Sequence, residues 1–279
     1  MPLKPKEKEK LLEKARETRE KIVHVTEKCG GSHIGGAMSM NDILVVLYHK
    51  YMKYDPKNPM WEDRDRFVLS KGHGGVGHAV ILGDAGFFPE SLLEDFNKTG
   101  SPFGMHLDGN KVKGVDASTG SLGHGLGISV GMAMAAKLQE KDWHTYCLVG
   151  DGESNEGSIW ESAMSAAHYK VTNMTTFVDR NHFMIDGNTE DVMGLEPFAD
   201  KWIAFGWNVI EIDGHDLDAI AAAIEASHAE TEKPTVIIAN TVKGKGIDFM
   251  ENDGKWHYAG LDSAMAKKSI ASIRKSYKN

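Results

Sequence analysis

Short apolar runs alternate with longer amphipathic segments along the carboxyl-terminal half of the chain. The runs are typical of strands and lie at residues 145–149, 174–178, 207–212 and 234–240. Segments with a helical spacing of apolar positions lie among them, at residues 156–169, 196–204 and 216–228. This alternation predicts an α/β fold, in which helices cover both faces of a mostly parallel sheet.

The amino-terminal half has the same helical spacing but weaker strand signals. Helices are predicted at residues 7–29, 38–52, 76–86, 89–97 and 124–138, with a short strand at residues 66–70. A final helix is predicted at residues 261–277, and Asp216 is expected to cap the helix that begins near Leu217. Residues 98–121 are rich in Gly, Asp and Ser, and an irregular segment of this length is usually functional. Since the sequence shows neither a repeat nor a linker, residues 1–279 are expected to form a single domain.

Composition narrows the class of protein. The chain has 279 residues, of which 41% are hydrophobic and 26% charged, as in an ordinary globular protein. Its net charge of −8 argues against nucleic acid or an anionic membrane as the main partner. No apolar run approaches the roughly 18 residues of a membrane span, and the charged amino terminus is unlike a secretory signal. Cys29 and Cys147 are therefore expected to be reduced residues of a cytoplasmic protein.

The stretch that carries most chemistry runs from Thr145 to Gly187. Asp151 and Asn181 are thirty residues apart, and each follows the carboxyl end of a predicted strand. In an open parallel sheet that edge is where ligands bind. Carboxylate, amide and carbonyl oxygens suit a hard divalent cation, which usually also takes oxygens from a bound phosphate. Because the residues flanking Asp151 are glycines, the backbone can approach that phosphate closely, and the stretch predicts a metal-held diphosphate.

This spacing, continued by Glu156-Gly157 and Ile185-Asp186-Gly187, resembles the thiamine diphosphate fingerprint of the transketolase family. Two ordinary strand-to-helix turns would explain the residue types but not their spacing. The resemblance implies thiamine diphosphate with Mg²⁺, for which Ca²⁺ or Mn²⁺ could substitute. It implies metal ligation by Asp151, Asn181 and the Phe183 carbonyl. The cofactor contacts that it implies in this stretch are Gly150, Asp151, Gly152, Glu153, Asn181 and Ile185.

Four histidines lie in Gly-containing loops outside that stretch: His33, His73, His106 and His257. An isolated loop histidine is usually just solvated, but four beside a diphosphate motif favour a site in which imidazoles donate to ligand oxygens and move protons. The resemblance implies catalytic roles facing the substrate for His33, His106 and His257. It implies cofactor contacts for His73 and, a second time, for His257.

The resemblance extends to three further groups of residues. Gly120 and Leu122 match a loop against the thiamine rings, for which a plain turn before the next helix is the alternative. Lys243 matches a cofactor-side lysine, for which a solvated surface lysine is the alternative. Glu156 and Glu161 match positions at a subunit interface.

Several positions depart from the commonest transketolase pattern. Ile34 stands where Pro is usual, Leu107-Asp108 replaces a Pro-Glu pair, and His124 stands where Gln is usual. Because all of them adjoin the expected substrate region, the identity of the donor and acceptor sugars stays open.

The resemblance covers only the amino-terminal part of a full transketolase. It implies the N-terminal subunit of a split enzyme, whose separate C-terminal subunit would complete active sites in an α2β2 assembly. The implied reaction transfers a two-carbon ketol unit from a ketose or ketose phosphate to an aldose acceptor. Two alternatives are an α subunit of a 2-oxo acid dehydrogenase or acetoin-type complex, and a non-catalytic diphosphate-binding subunit. The first lacks the early Gly-rich histidine segments, and the second gives no physical reason for a full set of histidines.

Overall fold

The computed structural model describes residues 2–277. Within them, the centre of the fold is a five-stranded sheet in which every neighbouring pair of strands is parallel. The strands are β1 (Arg66–Leu69), β2 (Thr145–Gly150), β3 (Met174–Arg180), β4 (Asn208–Asp213) and β5 (Thr235–Asn240). They lie in the order β1-β2-β3-β5-β4, which confirms the predicted parallel sheet.

Helices account for most of the remaining regular structure. The α-helices are α1 (Pro5–Cys29), α2 (Ile34–Ser39), α3 (Asn41–Val46), α4 (Gly75–Asp84), α5 (His124–Leu138), α6 (Gly157–His168), α7 (Thr189–Val192), α8 (Phe198–Ala204), α9 (Leu217–Ala229) and α10 (Ser263–Ser276). Asp216 caps α9 as predicted, because its Oδ1 accepts from the Asp218 backbone N–H at 2.9 Å.

The alternation of side chains along the strands divides the core into two layers. On β2, Tyr146 and Leu148 pack into the layer formed with α1, α2, α3, α4, α9 and α10. Their neighbours Cys147 and Val149 point the other way, into the layer formed with α5, α6 and α8. Helices therefore cover both faces of the sheet, as the sequence predicts, and the strands are apolar on both sides.

Two predicted helices are wrong in form. Residues 38–52 do not make one helix: α2 ends at Ser39, α3 follows, and Leu47–Tyr51 is a π-helix. The break coincides with the Met38 carbonyl oxygen, which accepts from Arg19 Nη2 at 3.2 Å. The segment predicted at 89–97 is a 3₁₀-helix, Glu90–Asp95, and it stops before Asn97, whose φ is +58°.

The carboxyl ends of four strands meet at one edge of the sheet. The loop after β1 leads to His73, and the loops after β2 and β3 begin with Asp151 and Asn181. The loop after β5 carries Lys243. None of the helices within residues 2–277 is both long and apolar enough to cross a membrane. Cys29 and Cys147 are free thiols.

Candidate active site

A cleft of about 380 Å³ opens at this edge of the sheet. It is lined by every residue that was predicted to bind the cofactor, hold the metal or act on the substrate: His33, His73, His106, Gly120, Leu122, Gly150, Asp151, Gly152, Glu153, Asn181, Phe183, Ile185, Lys243 and His257. Residues spread over most of the chain thus converge on one space. Their individual roles stay predictions.

Asp151 lies at the floor of the cleft with a side chain that is almost completely buried. Its Oδ1 accepts from the Gly152 N–H at 2.8 Å and its Oδ2 from the His182 N–H at 2.6 Å. Burial and the nearby Asp179 carboxylate raise the pKa of Asp151 to about 6. A buried carboxylate whose charge is this poorly compensated is suited to a cation.

The Asn181 amide is oriented by two contacts. Its Nδ2 donates to Asp179 Oδ2 at 3.1 Å, while its Oδ1 accepts from the Phe183 N–H at 3.1 Å. The groups available to a cation are therefore oxygens, which is the donor chemistry that Mg²⁺ prefers. In the described part of the chain, no three His, Cys, Asp or Glu side chains form a metal-binding group. A cation here would need oxygens from a bound phosphate to complete its coordination.

Gly152 sets how closely two loops approach across the cleft. A Cβ at this position would lie 3.0 Å from the Met184 Cβ. Since Met184 belongs to the loop that carries Phe183 and Ile185, any side chain at position 152 would push that loop away from Asp151. Ile185 itself is 70% exposed, so it presents an apolar side chain at the lip of the cleft.

The four histidines form one cluster. The ring of His33 lies 5.1 Å from His73, 5.3 Å from His257 and 6.4 Å from His106, between centroids. Burial, with the charges of neighbouring groups, lowers the pKa of His33 to about 4 and that of His257 to about 3. Neutral rings offer one donor and one acceptor each. Within the described residues His33 Nδ1 is buried without a hydrogen-bond partner, which leaves it available to a ligand.

Lys243 is buried, so the surface-lysine alternative is wrong. Its Nζ lies 3.0 Å from His257 Nδ1, and burial together with Lys71 lowers the pKa of Lys243 to about 8. The turn that brings it inward depends on Gly244, whose φ is +76°. A Cβ on Gly244 would also lie 2.5 Å from the Met250 carbonyl oxygen. A buried ammonium that is partly compensated favours an anion in the cleft.

Sequence reasoning missed the buried pair beneath the cleft. Lys71 Nζ donates to Asp179 Oδ2 at 2.5 Å and to the Gly36 carbonyl at 3.2 Å. The same carboxylate accepts from Ser39 Oγ at 2.6 Å and from Thr241 Oγ1 at 2.5 Å. The available signals were a lysine two positions before His73 and a charged residue at the end of an apolar strand.

Arg180 was also missed. Its Nη2 donates to Glu196 Oε1 at 2.8 Å and to Glu190 Oε1 at 3.0 Å, whereas its Nη1 is 3.4 Å from Asp151 Oδ2. The closer glutamates draw the guanidinium away from Asp151. This arrangement leaves the Asp151 carboxylate less occupied by Arg180 than a direct bidentate pair would.

Glu153 faces the cleft, but its carboxylate already has internal donors. Oε1 accepts from Ser70 Oγ at 2.6 Å and from the Gly123 N–H at 2.8 Å, and Oε2 from the Gly150 N–H at 2.8 Å. It therefore braces three loops around the site, and its direct contact with a cofactor stays a prediction. Glu156 and Glu161 lie outside the cleft, exposed next to and on α6. Their interface role also stays a prediction.

Comparison with known proteins places this geometry in a family. Residues 12–278 match the family model described as transketolase, thiamine diphosphate binding domain. The 6-deoxy-6-sulfo-D-fructose transketolase subunit SqwG of Clostridium sp. is 43% identical over 248 residues, which cover 89% of this chain and 90% of the relative. One of the two subunits of the apulose-4-phosphate transketolase of Phocaeicola vulgatus is 41% identical over 240 residues, covering 86% of this chain and 85% of the relative.

Solved structures agree. The crystal structure of transketolase from Campylobacter jejuni superposes with a TM-score of 0.89 at 32% identity. The match covers 95% of this chain and 43% of that one, so the chain spans less than half the length of this solved transketolase. The chain therefore belongs to the transketolase family and corresponds to its thiamine diphosphate-binding domain.

Proposed function

We propose that residues 1–279 form one diphosphate-binding domain, which acts as the N-terminal subunit of a two-chain transketolase. The enzyme transfers a two-carbon ketol unit from a ketose donor to an aldose acceptor. The observation that carries this proposal is the convergence of four histidines, Lys243 and the Asp151–Asn181 pair on a single cleft. A non-catalytic diphosphate-binding subunit would need the metal-binding groups but not the histidine cluster.

The residues present fit thiamine diphosphate and a divalent cation. Asp151, Asn181 and the Phe183 carbonyl would hold Mg²⁺, and Ca²⁺ or Mn²⁺ would find the same oxygen donors. His73 and Lys243 would donate to the diphosphate oxygens, because both present N–H groups to the cleft. Thiamine diphosphate, when bound, supplies a carbon nucleophile toward ketose carbonyl groups. Gly120 and Leu122 would border its rings, and Gly120 lies against the His106 ring.

His33, His106 and His257 would handle the protons and oxygens of the sugars. Because the pKa values of His33 and His257 are lowered to about 4 and about 3, both rings are neutral at physiological pH. Each can then donate to a developing alkoxide from one nitrogen and accept a hydroxyl proton at the other. His106 is exposed within the cleft, where it can reach a substrate directly.

A second chain would complete the site. The related proteins from Clostridium sp. and Phocaeicola vulgatus are named as transketolase subunits, and the present chain spans 43% of the Campylobacter jejuni enzyme. We infer a separate C-terminal subunit, two copies of each chain, and active sites at the interfaces. Glu156 and Glu161 lie on an exposed face that could contact a partner, and Ile185 would be covered by it. The cytoplasmic location stays a prediction.

The names of those two relatives describe a sulfonated and a phosphorylated ketose. On that basis we propose a donor with an anionic group at the end remote from its carbonyl. Ile34 and the Leu107-Asp108 pair, which depart from the commonest pattern, would adapt the substrate side of the cleft to this donor.

Reconstitution tests the proposed function. The purified chain, supplied with thiamine diphosphate, Mg²⁺, a ketose phosphate or sulfonate and an aldose, should show no turnover. The same mixture should become active when a chain carrying the remaining transketolase domains is added. Full turnover by the chain alone would refute the two-chain assembly. Oxidation of a 2-oxo acid such as pyruvate with an artificial electron acceptor would support the 2-oxo acid dehydrogenase alternative, and persistent inactivity with every such partner would support a non-catalytic subunit.

His106→Ala should mainly reduce turnover in the reconstituted enzyme. We expect kcat to fall about 10²- to 10⁴-fold, the usual contribution of a positioned proton-transfer group, while cofactor affinity changes little. Steady-state kinetics and calorimetry with thiamine diphosphate and Mg²⁺ measure the two effects separately. His24→Ala, at an exposed histidine on α1, is the matched control. Unchanged kinetics in His106→Ala would remove this residue from the reacting centre.

A further inference from the structure

The loop that carries Lys243 is held from its far side by groups outside the cleft. We refer to residues 241–246 as the lysine loop. A turn closes it, in which the Lys245 N–H donates to the Val242 carbonyl at 3.1 Å. Near its start, the Val242 N–H donates to His215 Nε2 at 2.8 Å. Near its end, the Lys245 carbonyl accepts from Arg19 Nε at 3.2 Å. The loop is thus clamped at two points on either side of Lys243.

The two clamping residues meet at one carboxylate. Arg19 Nη1 and Nη2 donate to Asp42 Oδ1 and Oδ2, both at 2.7 Å, and Asp42 Oδ2 is also 2.7 Å from His215 Nδ1. Arg19 and Asp42 are buried. Although burial opposes ionisation, the Arg19 guanidinium and the His215 ring hold the pKa of the Asp42 carboxyl well below its usual range. Asp42 is therefore a fixed, charged acceptor for the imidazole.

The contacts of His215 determine where its ring proton lies. A backbone N–H only donates, so Nε2 must be the unprotonated nitrogen that accepts from Val242. The proton of a neutral ring is then on Nδ1, where the Asp42 carboxylate accepts it. Both partners select the same tautomer. Were the proton on Nε2, it would face the Val242 N–H, and Nδ1 would face a carboxylate without a proton between them.

We propose that His215 is a positioning residue for Lys243, whose ring the Arg19–Asp42 pair keeps protonated at Nδ1 so that Nε2 fixes the Val242 backbone. The hydrogen bond immediately precedes Lys243 in the chain, so it sets the path by which that side chain enters the cleft. There Nζ reaches within 3.0 Å of His257 Nδ1. The consequence for a bound diphosphate rests on the proposed function, whereas the tautomer and the clamp do not.

Two substitutions separate positioning from simple packing. His215→Phe keeps an aromatic ring of similar size but removes the acceptor from the Val242 N–H. His215→Gln loses the ring but places an amide oxygen near the position of Nε2. If the ring only filled space, Phe would be the better replacement. If its acceptor holds the loop, Gln would be.

Hydrogen exchange and NMR on the purified full-length chain test the clamp directly. In His215→Phe the Val242 amide should exchange roughly three- to tenfold faster, the factor expected for one lost hydrogen bond. In His215→Gln it should stay near the wild-type rate, and His24→Phe on exposed α1 is the control. The ¹⁵N shifts of the wild-type ring should show Nδ1 protonated and Nε2 unprotonated. Unchanged exchange in the Phe variant, or a ring protonated at Nε2, would overturn the proposal.

Calorimetry with thiamine diphosphate and Mg²⁺ measures the consequence for the site. The Phe variant should bind roughly three- to tenfold more weakly, and the Gln variant should bind like the wild type. Absence of binding by the wild-type chain would count against the proposed function alone, since exchange and NMR still judge the clamp. Tight wild-type binding that the Phe variant retains in full would contradict the positioning role.

Discussion

Replacing Asp151 by Ala should abolish binding of thiamine diphosphate with Mg²⁺ while leaving the fold intact. Asp151 provides the anionic oxygen of the proposed metal site, and Asn181 and Phe183 contribute only neutral ones. Without it the cation loses its strongest protein ligand, so the affinity should fall at least about 100-fold. Isothermal titration calorimetry of the purified chain measures this loss. Asp142→Ala, at an exposed aspartate, should bind like the wild type.

The conservative change Asp151→Asn separates charge from shape. Because burial and Asp179 raise the pKa of Asp151 to about 6, the folded chain holds this proton more tightly than the unfolded chain. The ionised side chain therefore costs stability increasingly as the pH rises from about 4 to about 6. Without metal at pH 7 to 8, Asp151→Asn should melt at or above the wild-type temperature, yet bind the cofactor poorly. A variant with unchanged cofactor affinity would refute metal ligation by Asp151.

The parts of the fold that the sequence predicts well are those governed by short-range pattern. The strands β2 and β3 are continuous apolar runs bounded by polar and Gly residues, so they could be placed to within two residues. Once the sheet was expected to be parallel, Asp151 and Asn181 had to lie at the same edge. The cleft follows from this topology, since loops that leave the carboxyl ends of adjacent strands converge.

The parts that the sequence does not predict depend on contacts between distant residues. The division of residues 38–52 coincides with Arg19, in another helix, donating to the Met38 carbonyl. The partners of Arg180 and Lys71 likewise come from other segments: Lys71 is 108 residues from Asp179 in the chain. Charge alone shows that such residues need partners when buried, but only the packed structure shows which partners they have.

Lys71→Met should cause the largest loss of stability of any substitution considered. Lys71 and Asp179 are both buried, and removal of the ammonium would leave the Asp179 carboxylate without its closest cation. Breaking a buried ion pair in this way costs about 3–5 kcal/mol, which corresponds to a fall of roughly 10 °C in Tm for a domain of this size. Thermal and urea unfolding, monitored by circular dichroism, measure both quantities. Lys98→Met, which breaks an exposed pair with Asp95, should cost less than about 1 kcal/mol.

The double variant Lys71→Met, Asp179→Asn distinguishes this cause from lost packing. With both charges gone, the Ser39 and Thr241 hydroxyls can turn to suit an amide, and most of the stability should return. Removing a whole buried pair is often nearly neutral, whereas removing one member is not. If the double variant were as unstable as Lys71→Met, the loss would come from the space that Lys71 fills. Recovery would instead mean that the floor of the cleft depends on balanced charge, and that Lys71 is needed chiefly because Asp179 is there.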